Sequence, residues 1–124
     1  MSSSSYTTKG CYVADLWEDI QADLRLLSRS VSELRVRGEA KAKADAAYRA
    51  LKAKAILEAK AGGIPATLAK EVIYAREDVQ KALLERDCTE ALYDTCVEGI
   101  NATKLQIRVN EAQFEREWNQ AKRS

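Results

Sequence analysis

The chain has 124 residues, of which 46% are hydrophobic and 6% aromatic, and its 20 basic and 19 acidic side chains nearly cancel. This length suits one domain, and the small aromatic share favours thin seams between long helices over a thick globular core. The sequence contains no histidine, which removes most catalytic triads, dyads and zinc sites. We therefore expect a non-enzymatic protein with no cofactor and no metal site.

No apolar run approaches the length of about 20 residues that crosses a bilayer. The serines from Ser2 to Ser5 are not followed by the apolar core of a signal peptide. Three cysteines, an odd number, fit a reducing compartment. We expect a cytoplasmic protein without a membrane partner, in which Cys88 and Cys96 are small buried residues.

The first ten residues lack apolar periodicity, which predicts a flexible tail over residues 1–10 and one helical domain over residues 11–124. Residues 12–37 are predicted to be helical because large apolar side chains recur at alternating spacings of four and three. This spacing is typical of the a/d seam of a coiled coil, so we interpret it as an oligomer seam. The seam comprises Val13, Trp17, Ile20, Leu24, Leu27, Val31 and Leu34. Gly38 stands at the next seam position, where we expect the seam to stop or shift and the first helix to end.

Alanine and lysine dominate residues 39–61, which predicts a second helix because both residues lose little on entering one. Four basic side chains share one arc of its surface. This basic arc comprises Lys41, Arg49, Lys52 and Lys60. The arc could bind a nucleic-acid backbone by releasing counterions. Alternatively, these side chains keep the helix soluble while their stems pack over a partner, and we favour this interpretation.

Gly62 and Gly63 predict a helix stop, and Pro65 suits the start of the next helix. A third helix is predicted over residues 66–119, antiparallel to the second because the connection is short. Gly99 is the position near its middle at which a bend or a break is expected.

Two apolar stripes run along this third helix. The first comprises Val72, Ala75, Val79, Leu83, Tyr93, Cys96, Ile100, Ile107, Phe114 and Trp118, and the second comprises Leu84, Cys88, Leu92, Leu105, Val109 and Ala112. Two apolar faces exceed what one hairpin can cover, so we expect a homo-oligomer. Phe114 and Trp118 are candidate anchors for a protein partner, since tryptophan is over-represented at binding hot spots.

Acidic residues are frequent between Glu85 and Glu98. Glu90, Asp94 and Glu98 share one face, which allows a divalent-ion site or a surface that mimics nucleic acid. A solvated helix flank is the alternative that we favour, because charges at this spacing are ordinary on exposed helices.

The Ala/Lys-rich helix, the turn from Gly62 to Leu68 and a charged helix that closes with Phe114-Glu115-Arg116-Glu117-Trp118 follow one another over residues 40–118. This arrangement resembles small all-helical accessory proteins encoded by bacteriophages. The resemblance implies a viral accessory setting, in phage DNA metabolism or in blocking a host defence system. It carries over no functional residue.

Together these patterns predict an all-α protein, an elongated antiparallel helical hairpin or bundle with a coiled-coil-like N-terminal helix. The predicted function is that of an oligomeric interaction protein, a phage accessory factor that binds and modulates or inhibits a host or phage protein. The alternative is a nucleic-acid-binding accessory protein in phage recombination or replication.

Overall fold

A computed structural model describes residues 9–123 of the chain, with side chains from residue 12 onward. The described residues form three helices and no strand, and 95% of them are helical. The helices are α1 (Lys9–Ala61), α2 (Ala66–Tyr74) and α3 (Glu77–Arg123). The predicted all-α fold is confirmed, because the long N-terminal helix packs against the C-terminal one. None of the three helices within residues 9–123 is both long enough and apolar enough to cross a membrane.

Helix α1 begins earlier and continues further than the sequence pattern predicts. The predicted tail falls outside the described residues except for Lys9 and Gly10, which form the first residues of α1. The predicted break at Gly38 is wrong, because α1 passes through this glycine without interruption. A Cβ atom at Gly38 would lie 3.4 Å from Cε1 of Tyr93 on α3. This is an ordinary van der Waals distance, and one interior glycine costs a helix only about 0.5–1 kcal/mol, so a long helix can include it.

The connection between α1 and α2 is a hydrogen-bonded glycine turn. Gly63 has a φ of 77°, the left-handed conformation that glycine adopts cheaply. Its N–H donates to the Lys60 carbonyl at 3.0 Å, and the Ile64 N–H donates to the Ala59 carbonyl at 3.1 Å. This pair of bonds is a Schellman motif, which satisfies the last carbonyls of α1. Pro65 is the N-cap of α2, so the helix end and the helix start both lie where the sequence predicts them.

The predicted single helix over residues 66–119 is wrong, because the chain leaves helical geometry between α2 and α3. Arg76 lies at this break and joins it to α1. Its Nη1 atom lies 2.7 Å from Oε2 of Glu58, and its Nη2 and Nε atoms lie 2.8 and 3.1 Å from the two carboxylate oxygens of Asp78. Gly99, the expected bend, lies inside α3 without a break.

The chain divides into two compact units. Unit 1 joins the described residues up to Glu33 with those from Val97 onward, and unit 2 spans Leu34–Cys96. In unit 1, Trp17 contacts Phe114 and Asp23 contacts Asn110, so residue numbers rise along α1 as they fall along α3. The same reversed order holds in unit 2, where Lys41 meets Tyr93 and Tyr48 meets Arg86. The two long helices are therefore antiparallel within each unit.

All three helices contribute to the core of unit 2. Tyr48 and Ala55 come from α1, Ile73 from α2 and Val79 from α3, and these four side chains form one buried cluster. Unit 1 contains only segments of α1 and α3 among the described residues. Its buried apolar side chains are Val13, Leu16, Ile20, Ile100 and Ile107.

Candidate interaction surfaces

The structure divides the predicted oligomer seam into an inward half and an outward half. Val13 and Ile20 are buried in unit 1 and Leu27 is half-buried. Leu34, in unit 2, is half-buried as well. The buried residue between Val13 and Ile20 is Leu16. The series of Val13, Ile20 and Leu27 therefore faces inward in unit 1. A second inward-facing series begins at Leu16, one residue before Trp17, and we refer to it as the offset series.

The outward half of the predicted seam is a row of large exposed apolar side chains. Trp17, Leu24 and Val31 are 52%, 43% and 53% exposed. They recur every seven residues and so share one face of α1. We refer to Trp17, Leu24 and Val31 as the exposed stripe.

An aromatic cluster lies at one end of the exposed stripe. The Trp17 and Phe114 rings have centroids 5.6 Å apart, and the Phe114 and Trp118 rings stack at 6.2 Å with planes 10° apart. Phe114 is half-buried between the two indoles, whereas Trp118 is 49% exposed. Of the two candidate anchors, Trp118 therefore offers an accessible ring, and Phe114 supports it from within the hairpin.

The offset series of α1 contains a polar residue, Asp23, whose hydrogen-bond partner Asn110 lies on α3. Asn110 donates from Nδ2 to Oδ2 of Asp23 at 3.3 Å, in a partly buried contact. Each side chain provides the other with a hydrogen-bond partner, which matters because a half-buried polar group without a partner is costly. The pair explains how a series that contains an aspartate can face inward while the more apolar series faces outward.

The basic arc is divided between two clefts of unit 2. Lys41 and Arg49 line an open cleft of about 620 Å³ together with Asp45, Arg86 and Glu90. In this cleft Arg49 Nε lies 3.0 Å from a carboxylate oxygen of Asp45. The Lys41 ammonium lies 4.7 Å from the centroid of the Tyr93 ring, also in the cleft wall. These two arc residues are therefore engaged within the chain, next to two carboxylates.

The other two arc residues line a smaller and more apolar cleft between α1 and α2. Lys52 and Lys60 come from α1, and Lys70 joins them from α2. Lys70 escaped the sequence analysis because it lies beyond the glycine turn, and only the direction of α2 brings it near the other two. We refer to this cleft, of about 250 Å³, as the lysine pocket.

Lys52 is held at the wall of the lysine pocket by two tyrosines. Its ammonium lies 5.4 Å from the Tyr74 ring centroid and 5.9 Å from that of Tyr48. A hydrogen bond with the Tyr74 hydroxyl raises the pKa of Lys52, and the same bond, followed by one from Tyr48, lowers the pKa of Tyr74. The hydrogen bond to Tyr74 and burial raise the pKa of Tyr48. Lys52 therefore keeps its positive charge at neutral pH, and its ammonium lies beside the two tyrosine rings.

Arg86, which interrupts the first apolar stripe of α3, has a role in unit 2. Its guanidinium carbon lies 4.6 Å from the Tyr48 ring centroid, and its Nη2 atom lies 3.2 Å from Oδ1 of Asp87. Its hydrogen bond with Asp87 raises its pKa further. A cation over the face of a core tyrosine can replace an apolar residue in a helical seam.

The second apolar stripe of α3 remains at the surface. Leu84, Leu92, Leu105 and Val109 are all exposed. Cys88 is exposed too, so its prediction as a buried residue is wrong, and Cys96 is half-buried. The seven-residue register that buries Ile100 and half-buries Tyr93 turns this stripe away from α1.

The acidic face of Glu90, Asp94 and Glu98 lies at the surface of α3. Glu90 lines the larger cleft opposite its basic residues. Among the described residues, no group of three His, Cys, Asp or Glu side chains is arranged to hold a metal ion. Comparison of the chain with protein-family models, with curated proteins and with solved structures found no significant match.

Proposed function

We propose that this chain is a non-enzymatic helical interaction protein that associates with a second copy of itself and binds a protein partner. The observation that carries the proposal is the exposed stripe of Trp17, Leu24 and Val31. Several large apolar side chains exposed on one face of a helix are typical of interaction sites. The stripe spans roughly 21 Å of helix at 1.5 Å per residue, a length that a second helix can cover.

The heptad spacing of the exposed stripe favours a second copy as its occupant. A helix with apolar residues at every seventh position packs best against a helix with the same period, and the chain carries this period itself. Trp118 extends the apolar surface at one end, so we assign it and Phe114 to the self-association surface. A copy placed across the stripe would bury these side chains without requiring any new fold.

Unit 2 illustrates what such a copy would supply. The seven-residue series of the exposed stripe continues along α1 first as Gly38 and Asp45, which lie beside residues of α3. It then continues as Lys52 and Ala59, which lie beside α2. Ala59 is buried and, with Ile73, lines a small cleft next to α2, while Lys52 lines the lysine pocket. In unit 1 no third helix covers this series among the described residues. We propose that a helix of the second copy takes that position.

Nucleic-acid binding is the less favoured function. A phosphate-binding surface needs basic side chains that are free to contact phosphates. Arg49 is paired with Asp45, and Lys41 is engaged over a tyrosine ring beside Glu90. The two clefts also divide the basic arc, so its four members offer no continuous track.

The setting that the sequence resemblance implies is part of this proposal. A phage accessory protein that docks on a host or phage protein would need a stable assembly and one partner surface. The cytoplasm of the host is the proposed location. We assign the exposed stripe to self-association and the lysine pocket to binding of the partner.

Light scattering at micromolar concentration tests self-association. We expect a mass above the monomer value of 13.8 kDa. The double variant Leu24→Asp with Val31→Asp should be monomeric and still helical by circular dichroism, because charges in a buried seam are costly unless the seam opens. Leu57→Asp is the matched control, since Leu57 lies on the same helix and is 67% exposed. A wild-type monomer, or dissociation by the control to the same extent, would refute the proposal.

A further inference from the structure

We infer that the lysine pocket between α1 and α2 binds an acidic segment of the partner protein, with one large apolar side chain of that segment inserted into the pocket. This inference rests on the proposed function in one respect, that the partner is a protein. The pocket is formed by Lys52, Ile56 and Lys60 of α1 and by Ala69, Lys70 and Ile73 of α2, among others.

The charge around the pocket favours an anionic occupant. Three lysines and no carboxylate line it, although acidic and basic residues are nearly equal in number over the whole chain. Lys60 and Lys70 form no ion pair or hydrogen bond with any residue in the described part of the chain. Two of the three ammonium groups are thus available to carboxylates, and Lys52 is fixed in place by its tyrosines.

The floor of the pocket favours an apolar group between those carboxylates. Ala69 and Ile73 are buried beneath it and Ile56 is half-buried. The volume of about 250 Å³ lies below the range of roughly 300–1,000 Å³ that is usual for small-molecule sites. A pocket of this size accepts one leucine or phenylalanine side chain, as in helices and peptides that dock through single apolar anchors.

The aromatic residues near the pocket do not favour a nucleic acid. Single-stranded nucleic acids bind proteins by stacking bases on exposed aromatic faces. Tyr48 is buried, and the ammonium of Lys52 lies over the Tyr74 ring. The occupant that the pocket fits is therefore an acidic peptide with an aliphatic or aromatic anchor.

Fluorescence anisotropy with a labelled five-residue peptide tests this inference. The peptide carries one leucine between two pairs of glutamates, and the full chain is titrated up to about 1 mM, the weak end of measurable affinities. We expect saturable binding that falls at least about tenfold in the double variant Lys60→Glu with Lys70→Glu. The matched control is Lys43→Glu with Lys104→Glu, which changes the net charge equally at exposed sites outside the pocket. It should bind as the wild type does.

Two further probes decide what fills the pocket. A peptide with serine in place of leucine should bind at least about tenfold more weakly, because a buried leucine contributes about 1.5–3 kcal/mol. Equal binding of the serine peptide would overturn the inference, as would no binding of the leucine peptide. Tighter binding of an oligothymidine of similar length, lost in the Lys60 and Lys70 variant, would also overturn it in favour of nucleic acid.

The same variants separate this inference from the proposed self-association. The Lys60 and Lys70 variant should keep the wild-type mass in light scattering, and the Leu24 and Val31 variant should keep wild-type peptide affinity. If the wild type binds the leucine peptide but has the mass of a monomer, the self-association proposal alone has failed. If it has a higher mass but does not bind the peptide, the inference about the lysine pocket alone has failed.

Discussion

Unit 1 and unit 2 use the same two antiparallel helices but bury their apolar side chains to different degrees. In unit 2 the added helix α2 supplies Ile73, and the core residues Ala55, Ile73 and Val79 are 1%, 2% and 0% exposed. In unit 1 the most buried side chain described is Ile20, at 4%, and the exposed stripe remains open. Two helices share one seam, so a helix with a broad apolar face needs a third element to cover it.

Helix α2, which unit 2 has in addition to the two long helices, is short, and its position depends on the connections at its two ends. The glycine turn connects it to α1, and Arg76 ties its other end to Glu58 of α1 and Asp78 of α3. Nine residues can then complete a core that neither long helix could close alone. The comparison predicts that substitutions which loosen α2 will have larger effects than those in unit 1.

The largest effect is expected at the centre of the unit 2 core. Ile73→Ala should lower the free energy of unfolding by about 2–5 kcal/mol, because it leaves a cavity that the surrounding helices cannot fill. Urea denaturation followed by circular dichroism measures this change. Leu68→Ala, on the same short helix but 53% exposed, should change stability by less than about 0.5 kcal/mol. Equal effects of the two variants would show that α2 does not close the core.

The glycine turn should show the next largest effect. Gly63→Ala forces an alanine into the left-handed region, which costs about 1–2 kcal/mol. Gly62→Ala is the control, since its Cβ would lie 3.5 Å from the Glu58 carbonyl oxygen, an ordinary contact. Thermal unfolding should show a lower Tm for the Gly63 variant and little change for the Gly62 variant. A reversed order would contradict the Schellman turn.

In unit 1 a substitution should stabilise the protein. Gly99 lies within α3 and a Cβ atom added there would meet nothing within 4 Å. Gly99→Ala should therefore raise the free energy of unfolding by about 0.5–1 kcal/mol through helix propensity alone. Urea denaturation checks the sign. Destabilisation together with a lower oligomeric mass would mean that a second copy packs against this glycine, which would move the self-association surface away from the exposed stripe.

The smallest effect is expected on the loss of stability at acid pH. Hydrogen bonds from Arg76 hold the pKa of Asp78 below its usual value. This carboxylate therefore adds stability that is fully present above the ordinary carboxyl pKa and is lost as the pH falls through the lower folded-state pKa. Unfolding midpoints between pH 7 and acid pH should fall less steeply for Asp78→Asn than for the wild type. Asp94→Asn, at an exposed site without an ion pair to a described residue, should keep the wild-type slope.

The helix boundaries at Gly63 and Pro65 were predictable, the boundary expected at Gly38 was wrong, and the boundary that depends on tertiary contacts was missed. Gly63 and Pro65 mark the end of α1 and the start of α2 through their own backbone preferences. The break before α3 contains neither residue type and is stabilised by the contact of Arg76 with Glu58, eighteen positions earlier. Its local signal was the pair Glu77 and Asp78, because acidic residues favour the first turn of a helix.

The candidate surfaces were predictable as faces but not in their orientation. Heptad spacing predicted one oligomer seam from Val13 to Leu34, and in the structure Val13 and Ile20 are buried while Trp17, Leu24 and Val31 are exposed. The face that meets α3 includes Asp23, whose partner Asn110 comes from α3, and no pattern within α1 indicates that contact. Likewise, Lys52 and Lys60 of the lysine pocket could be predicted to share a face from the sequence of α1 alone. Lys70 could not be predicted to join them, because its position depends on the path of α2.

The aromatic cluster places the tryptophan fluorescence of the protein in one of its two units. The chain has two tryptophans, Trp17 and Trp118, and both belong to unit 1. Tyr48, Tyr74 and Tyr93, three of its five tyrosines, belong to unit 2. Emission excited at the red edge of the indole band thus reports on unit 1 alone, and tyrosine absorbance is weighted toward unit 2. Without any attached dye, the loss of structure in each unit can be followed in the same sample.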